Sequence, residues 1–478
     1  MGRLLLVCVL ATSSGSPVAA APQNEKPNII LIVTDDQRAD FLGIAGHPVL
    51  RTPVIDGIAA EGVRFSNAFV TTPICAASRA SILTGTWERR HGYTFGTPPL
   101  TAELVSTSYP TVLREAGYRT GFVGKFGVRA QQDSPSVMFD FFRPQSPPYL
   151  KKTVDGTTRH ITDLAGDEAI EFLEECREDQ PFCLSVSFNA PHAVDGDKEN
   201  HFPYPSSEEG LYADAEIRPP RVSSEFWKGL PEFFANSLNR ERWFWRWDTP
   251  EKYERNVRAY YRMISGIDRV VGRILAESER LGFADNTVVI FTSDNGYYKG
   301  SRGFAGKWSH YEESLRVPLV IYDPRIEKGR RGRVVPQLAL NVDLPATIVD
   351  LAGLKQPSTY QGRSLVPVVR EDAIEEWRED FFFEHLFDNP QIPKLEGVRG
   401  RRYVYARYFD HLPEGEFLHD LESDPLQLVN LAHDPANGAL LSTMRDRCDE
   451  LRTSVGSARV PMPALFGMQA AESSDVGR

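Results

Sequence analysis

Two pairs of side chains with hard oxygen donors each follow a short apolar run: Asp35-Asp36 after Asn28–Thr34, and Asp294-Asn295 after residues 287–292. Brought together, Asp35, Asp36, Asp294 and Asn295 would form an oxygen cluster that suits Ca²⁺ or Mg²⁺ and excludes a thiol-seeking metal. Either pair alone also reads as a turn starter; two such pairs at strand ends in one chain favour the metal. A third feature is the pentapeptide Cys75-Ala76-Ala77-Ser78-Arg79. Pro73 precedes it and Gly85 stands where a helix would end, so Cys75 falls near a helix amino terminus, where free amide N–H groups and the dipole favour an anion. A small residue buried against a sheet and a reactive thiolate are the competing readings of this cysteine.

These groups need a frame. The apolar run Asn28–Thr34 has the pattern of a strand buried on both faces, and similar runs recur at 182–188, 287–292 and 317–322. Helical patterns at 162–175 and 253–281 lie between them. This alternation predicts an α/β fold, a large mostly parallel central sheet sandwiched by helices, with ligands bound beyond the carboxyl ends of the strands. Residues 195–248, rich in Trp, Phe and Pro, read as an irregular insertion. From about residue 381 the texture changes to short aromatic and charged segments, at 381–384, 400–408 and 416–421, before a last helix near 437–454. A catalytic domain over 22–375 and a smaller C-terminal subdomain with an antiparallel sheet over 376–478 are expected.

Composition sets the outer bounds. At 478 residues with 41% hydrophobic and 25% charged side chains, the chain is long and apolar enough to bury a large core. Arg3, the apolar stretch that follows it and Val18-Ala19-Ala20-Ala21 predict a cleaved signal peptide over 1–21, too short to span a bilayer. A periplasmic or secreted protein without a membrane span is therefore expected. Loss of Arg3 takes the formal charge from −11 to −12. So acidic a chain, with no basic stripe, gives no support for nucleic-acid binding. Four of the five cysteines survive cleavage, too few for a disulfide-built scaffold. Cys176 and Cys183 fall at a helix end and a strand start; either a disulfide or two thiols fits that placement.

The segment from Pro73 to Gly85 resembles the signature of the formylglycine-dependent (type I) sulfatase family, within the alkaline-phosphatase-like superfamily. The resemblance extends, in family order, to Pro27 through Gly43, Gly124-Lys125, Ala190-Pro191-His192, Thr292 through Gly296, Lys307 through Pro318 and Asp420 through Ala432. It implies that a maturase, the formylglycine-generating enzyme or an equivalent, converts Cys75 to formylglycine (3-oxoalanine). It further implies that Asp35, Asp36, Asp294 and Asn295, with one oxygen of the modified Cys75, hold a cation, Ca²⁺ in preference to Mg²⁺. Arg79 would stabilise the hydrated aldehyde, while Lys125, His192 and Lys307 would grip and polarise a sulfate ester. That set is chemically coherent, because an anionic ester repels an attacking oxygen until fixed positive charge neutralises the site. A hydrate carries two hydroxyls on one carbon: one can take the sulfate, and deprotonation of the other can expel it. The implied substrate is a sulfated carbohydrate, a guess supported by export and by the aromatic insertion.

Two departures stand out. The third signature residue, usually Pro, is Ala77, a known variant of the motif. Where the family commonly has Lys-Trp-His, this chain has Lys125-Phe126-Gly127, so a histidine expected at the aldehyde hydrate is missing. His310, three residues beyond Lys307, is the candidate to reach in and replace it. The competing functions are a phosphonate or phosphate ester hydrolase with the same modified cysteine, a sulfated-glycan binder without turnover, and a cysteine hydrolase, which leaves the metal-type residues unexplained.

Overall fold

The computed structural model describes residues 26–131, 134–371, 374 and 376–456. The expected signal segment lies outside them, as does residue 375, where the subdomain boundary was expected. Eight strands form the main sheet: β1 (Asn28–Thr34), β2 (Val63–Phe69), β3 (Arg119–Gly124), β4 (Phe141–Pro144), β5 (Phe182–Ser187), β6 (Thr287–Ser293), β7 (Leu319–Tyr322) and β8 (Arg333–Leu340). Their order is β8-β2-β7-β6-β1-β5-β3-β4. All neighbours are parallel except β7, which runs antiparallel to both β2 and β6. The four apolar runs are all strands of this sheet, and one of the four runs backwards. Helices α1 (Pro53–Glu61), α2 (Cys75–Thr84), α3 (Ile161–Glu174), α4 (Leu238–Arg246), α5 (Pro250–Arg280) and α6 (Asp343–Leu351) cover it.

Burial explains the uninterrupted apolar runs. All seven residues of β1 and all seven of β6 are buried. On β1, Ile29, Leu31 and Val33 face one apolar cluster, and Ile30 and Ile32 face the other. A strand covered on both faces cannot alternate with polar residues. The register pairs Thr34 with Ser293, so the residues just beyond, Asp35 and Asp294, leave the sheet side by side at strand spacing.

The C-terminal strands β9 (Asp380–His385), β10 (Leu395–Gly400), β11 (Tyr403–Tyr408) and β12 (Glu416–Asp420) form the expected small antiparallel sheet, in chain order, backed by α7 (Gly438–Val455). This sheet docks on the segment that carries Cys75. Glu384 N donates to Thr71 O (2.9 Å), Trp87 Nε1 to Phe382 O (2.8 Å), and Arg89 pairs with Glu384 at 2.7 Å. Phe381, Val398 and Phe417 belong to the same apolar cluster as Ile74, Ala77 and Ile82.

Cys176 and Cys183 are both free. Burial pushes each thiol up to about 12, so of the two readings the pair of protonated thiols is the one observed. Among the described residues no helix is long and apolar enough to cross a membrane.

His160 caps α3: its Nδ1 accepts from Thr162 N (3.1 Å) while Nε2 lies 3.1 Å from Pro203 O. That pattern needs a neutral ring, and burial lowers its pKa to about 4. The unfolded chain, near 6.5, takes up a proton in the window from 6.5 down to 4 that the folded chain refuses, so this contribution to stability is lost as pH falls through it. His160→Asn keeps a cap acceptor and removes the titration. Urea unfolding at pH 7 and pH 5 is expected to show the native protein losing on the order of 1–2 kcal/mol relative to the variant between the two. A constant difference would mean that the ring takes up its proton as readily in the fold as in the unfolded chain.

Candidate functional site

The carboxyl ends of the four central strands, β6, β1, β5 and β3, converge on one cleft. Asp35 and Asp36 follow β1, Asp294 and Asn295 follow β6, Lys125 follows β3, and the loop to His192 follows β5. Cys75 enters from the side as the first residue of α2, whose amino end has no side-chain cap and whose other end is closed by Gly85 at φ +68°. Left-handed backbone of this kind favours glycine. The helix start predicted from Pro73 and its stop predicted from Gly85 are both observed, and Arg79, one turn beyond Cys75, points along the same face.

The pit floor is made of charge. Ligand atoms of Asp35, Cys75 and Asp294 lie within 4.8 Å of one another, and so do those of Asp35, Asp36 and His192. Asp35, Asp36, Asp294 and Asn295 are essentially inaccessible to solvent. Lys125 pairs with Asp35 and Lys307 with Asp36; Lys307 Nζ is also 4.0 Å from Asp35 Oδ1. Arg79 Nε holds Asp294 Oδ2 at 2.7 Å, and its Nη1 donates to Lys125 O (2.7 Å) and to Ser187 Oγ. His192 Nε2 stands 3.7 Å from Asp36 Oδ2. Burial opposes ionisation of Asp35, but Lys125, His192 and Lys307 outweigh it and hold the carboxyl far below its usual range. Asp294 is pushed up to about 7, by burial first and by the charge of Asp35 second. Burial also depresses His192, against the pull of Asp35 and Asp36.

This donor set fits a hard dication. Asp35 Oδ1 and Asn295 Oδ1 are buried and accept no hydrogen bond among the described residues, the state in which a carboxylate and an amide oxygen cost most. Three carboxylates crowded together raise the proton affinity of one of them, and a divalent ion relieves the same repulsion. Asp36 adopts φ +66°, a strained conformation that Asp tolerates better than most residues and that persists where its surroundings enforce it. Tyr260, donating to Asp36 O, and Asp294 Oδ1, accepting from Asp36 N at 3.3 Å, are those surroundings.

The cleft above the pit has a volume of about 360 Å³ and is lined by Cys75, Lys125, His192 and Lys307, with Tyr93, Phe95, Asp195, Arg242 and Trp308 around them. Nine of the ten residues named from the sequence therefore meet at one place. The tenth does not. His310 turns away into the interface with the small sheet, where Nδ1 lies 2.9 Å from Tyr408 Oη and Nε2 lies 3.1 Å from His419 Nε2. Fully buried between those partners, it cannot replace the histidine missing at Gly127. The loop itself explains that absence. Gly127 has φ +68°, and a Cβ there would sit 2.9 Å from Arg79 Cδ.

Other residues position the site without having been singled out. Asn239 of α4 donates to Lys307 O, and Tyr149 Oη donates to Asn189 O and His192 O, both at 2.7 Å. Only the aromatic texture of residues 195–248 hinted at the first, and no local pattern marks the second.

A sulfatase family model matches residues 27–354, and a model of the N-sulphoglucosamine sulphohydrolase C-terminal region matches residues 300–454. The chain is 27% identical to the N-acetylglucosamine-6-O-sulfatase of Bacteroides thetaiotaomicron, over 89% of its own length and 86% of that protein's. It is 28% identical to the arylsulfatase of Clostridium perfringens, over 85% and 90% of the two chains. A solved structure of a protein in complex with its substrate, D-glucosamine-2-N,6-O-disulfate, has a TM-score of 0.78 at 23% identity, covering 90% of this chain and 98% of the other. The phosphonate monoester hydrolase of Agrobacterium radiobacter has a TM-score of 0.73, also at 23% identity, covering 90% and 96%. Structural likeness at such identities speaks for the alkaline-phosphatase-like fold alone. Family membership rests on the sequence match, which spans most of the chain: this protein belongs to the sulfatase family and is a sulfuric ester hydrolase.

Proposed function

We propose that this chain is an exported, periplasmic or secreted enzyme that removes sulfate from sugars, using formylglycine made from Cys75 by a maturase and Ca²⁺ held by Asp35, Asp36, Asp294 and Asn295. The observation that carries the reading is the convergence of three buried carboxylates, Lys125, Lys307 and Arg79 on the amino end of α2 at Cys75. The sugar part of the reading draws on a relative that acts on N-acetylglucosamine 6-O-sulfate.

Bound there, Ca²⁺ and the aldehyde hydrate would supply positive charge and a doubly hydroxylated nucleophile. The chain's own groups do the rest. Lys125 and Lys307 present ammonium groups to the sulfate oxygens and are kept charged by Asp35 and Asp36, a preorganised field that costs no reorganisation during reaction. Arg79, fixed by Asp294, Lys125 O and Ser187, sets the position of the side chain at Cys75. His192, its backbone carbonyl held by Tyr149, can hydrogen-bond the bridging oxygen of the ester and, in its protonated form, hand it a proton as the alcohol departs. The floor of Asp35, Asp36, Asp294 and Asn295 is closed to bulk water.

The same fold and charge pattern would also accept a phosphonate or phosphate monoester. Steady-state rates with 4-nitrophenyl sulfate, N-acetylglucosamine 6-sulfate, 4-nitrophenyl phosphate and a phenyl phosphonate ester separate the cases. Both sulfate esters are expected to exceed the phosphorus esters in kcat/KM by at least about tenfold. A phosphonate as best substrate would overturn the assignment of the leaving group, and binding without turnover of any ester would leave a glycan-binding protein.

A further inference from the structure

One charged group at the cleft wall has no task in the chemistry above. Arg242 and Arg246 lie one turn apart on α4 and share a single carboxylate: Arg242 Nη2 is 2.6 Å from Asp195 Oδ2, and Arg246 pairs with Asp195 Oδ1. Two guanidiniums on one carboxylate leave a surplus of one positive charge. Arg246 is sealed, its side chain 1% exposed, whereas that of Arg242 is 16% exposed and lines the cleft beside Lys125, His192 and Lys307. The surplus is therefore presented by Arg242. Inside the pit the three carboxylates are matched by Lys125, Lys307 and Arg79, so nothing there pairs it.

Arg242 is also held ready. Its guanidinium lies 4.9 Å from the centre of the Trp308 ring, and its Nε is buried with no acceptor among the described residues. Burial works against the charge more than Asp195 supports it. A planar guanidinium anchored on an aromatic face and on Asp195 keeps a fixed direction for its remaining donors toward a sulfate or a carboxylate, where a lysine would offer only a mobile point charge.

We propose that Arg242 receives a second anionic group of the substrate, so that the preferred ester is a saccharide carrying another sulfate or a carboxylate besides the sulfate that is cleaved. This deepens the sulfatase reading and rests on it. Arg242 acts on selectivity, and the scissile bond stays with the pit.

The test compares N-acetylglucosamine 6-sulfate, glucosamine carrying N- and 6-O-sulfates, a 6-sulfated glucosamine linked to a uronic acid, and 4-nitrophenyl sulfate. The native enzyme is expected to favour at least one doubly anionic saccharide over the singly charged one by roughly tenfold or more in kcat/KM. Which of the two it favours tells sulfate from carboxylate. Arg242→Gln is expected to raise KM for that substrate by roughly 10- to 100-fold with kcat nearly unchanged, and to alter kcat/KM for 4-nitrophenyl sulfate by less than about twofold. Arg242→Lys should recover part of the loss. Arg246→Gln leaves Arg242 in place but removes one of the two guanidiniums that share Asp195, so it is expected to lower Tm and to reduce, without abolishing, the preference for the doubly anionic sugar. Equal loss on all esters with Arg242→Gln would make the residue a structural prop, and a native enzyme indifferent to the second anion would end the proposal. Absence of turnover for every sulfate ester would instead strike the sulfatase reading, and this assignment with it.

Discussion

Cys75→Ala is expected to lower kcat for an aryl sulfate by roughly four to six orders of magnitude, the scale seen when a covalent nucleophile is removed from an assembled site. The loss should be almost entirely in kcat, because Lys125 and Lys307, which face the sulfate, are untouched by the change. Folding should survive it. Cys75 is a small side chain at the first position of α2, and alanine is compatible with that position. Mass spectrometry of the peptide containing Cys75, from active enzyme made together with the maturase, supplies the second half of the test. An aldehyde in place of the thiol is the expected form. Full activity with an intact thiol would refute the formylglycine mechanism outright, and a variant as active as the native enzyme would move the nucleophile elsewhere.

The second large effect concerns the ion. Exhaustive chelation is expected to reduce turnover at least roughly a thousandfold and to lower Tm by a few degrees, with Ca²⁺ restoring both. The stability part follows from mass action: an ion present at about a hundred times its Kd stabilises the fold by about 2.7 kcal/mol. Its physical source is burial first and the charge of Asp35 second, which together push Asp294 up to about 7; a dication between the two carboxylates replaces their repulsion with attraction. Asp35→Ala should abolish the Ca²⁺-induced rise in Tm as well as the activity. Because Tm is read independently of catalysis, unchanged melting with and without Ca²⁺ would dismiss the ion site even if turnover were lost for another reason.

The carboxylate pairs of this site could be read from the chain alone, and the reason is geometric, whereas Arg79, Lys125, His192 and Lys307 were legible only through the family resemblance. Strands buried on both faces leave unbroken apolar runs, and the residue that ends such a run lies at the rim where ligands bind. Asp35 and Asp294 are visible for that reason, and the register Thr34 with Ser293 makes them neighbours. Proline and glycine bracket α2 and so place Cys75 at its amino end, while the role of that cysteine was legible only through the resemblance to the sulfatase signature. His310 shows the limit. Its spacing from Lys307 says nothing about direction, and the loop between them turns the ring toward Tyr408 and His419. Antiparallel β7 shows another, since an apolar run does not encode strand polarity. The roles of Asn239, Tyr149 and Arg242 depend on contacts spanning 40 to 70 positions or more, as in Asn239 with Lys307 and Tyr149 with Asn189. Periodicity cannot report such pairings, and an aromatic insertion looks irregular until α4 is seen to bring Arg242 to the cleft wall.

Gly127 and Arg79 carry a consequence for how such a site can change over generations. Arg79 is tied down by Asp294, Lys125 O and Ser187, and it fills the space that a Cβ at position 127 would need. The glycine and the arginine rotamer are thus locked together, each permitting the other. A chain in this state cannot take up a histidine at 127 by one substitution, because the intermediate would disturb the group that aligns the nucleophile before the new ring could do anything useful. The two positions can therefore change only as a pair.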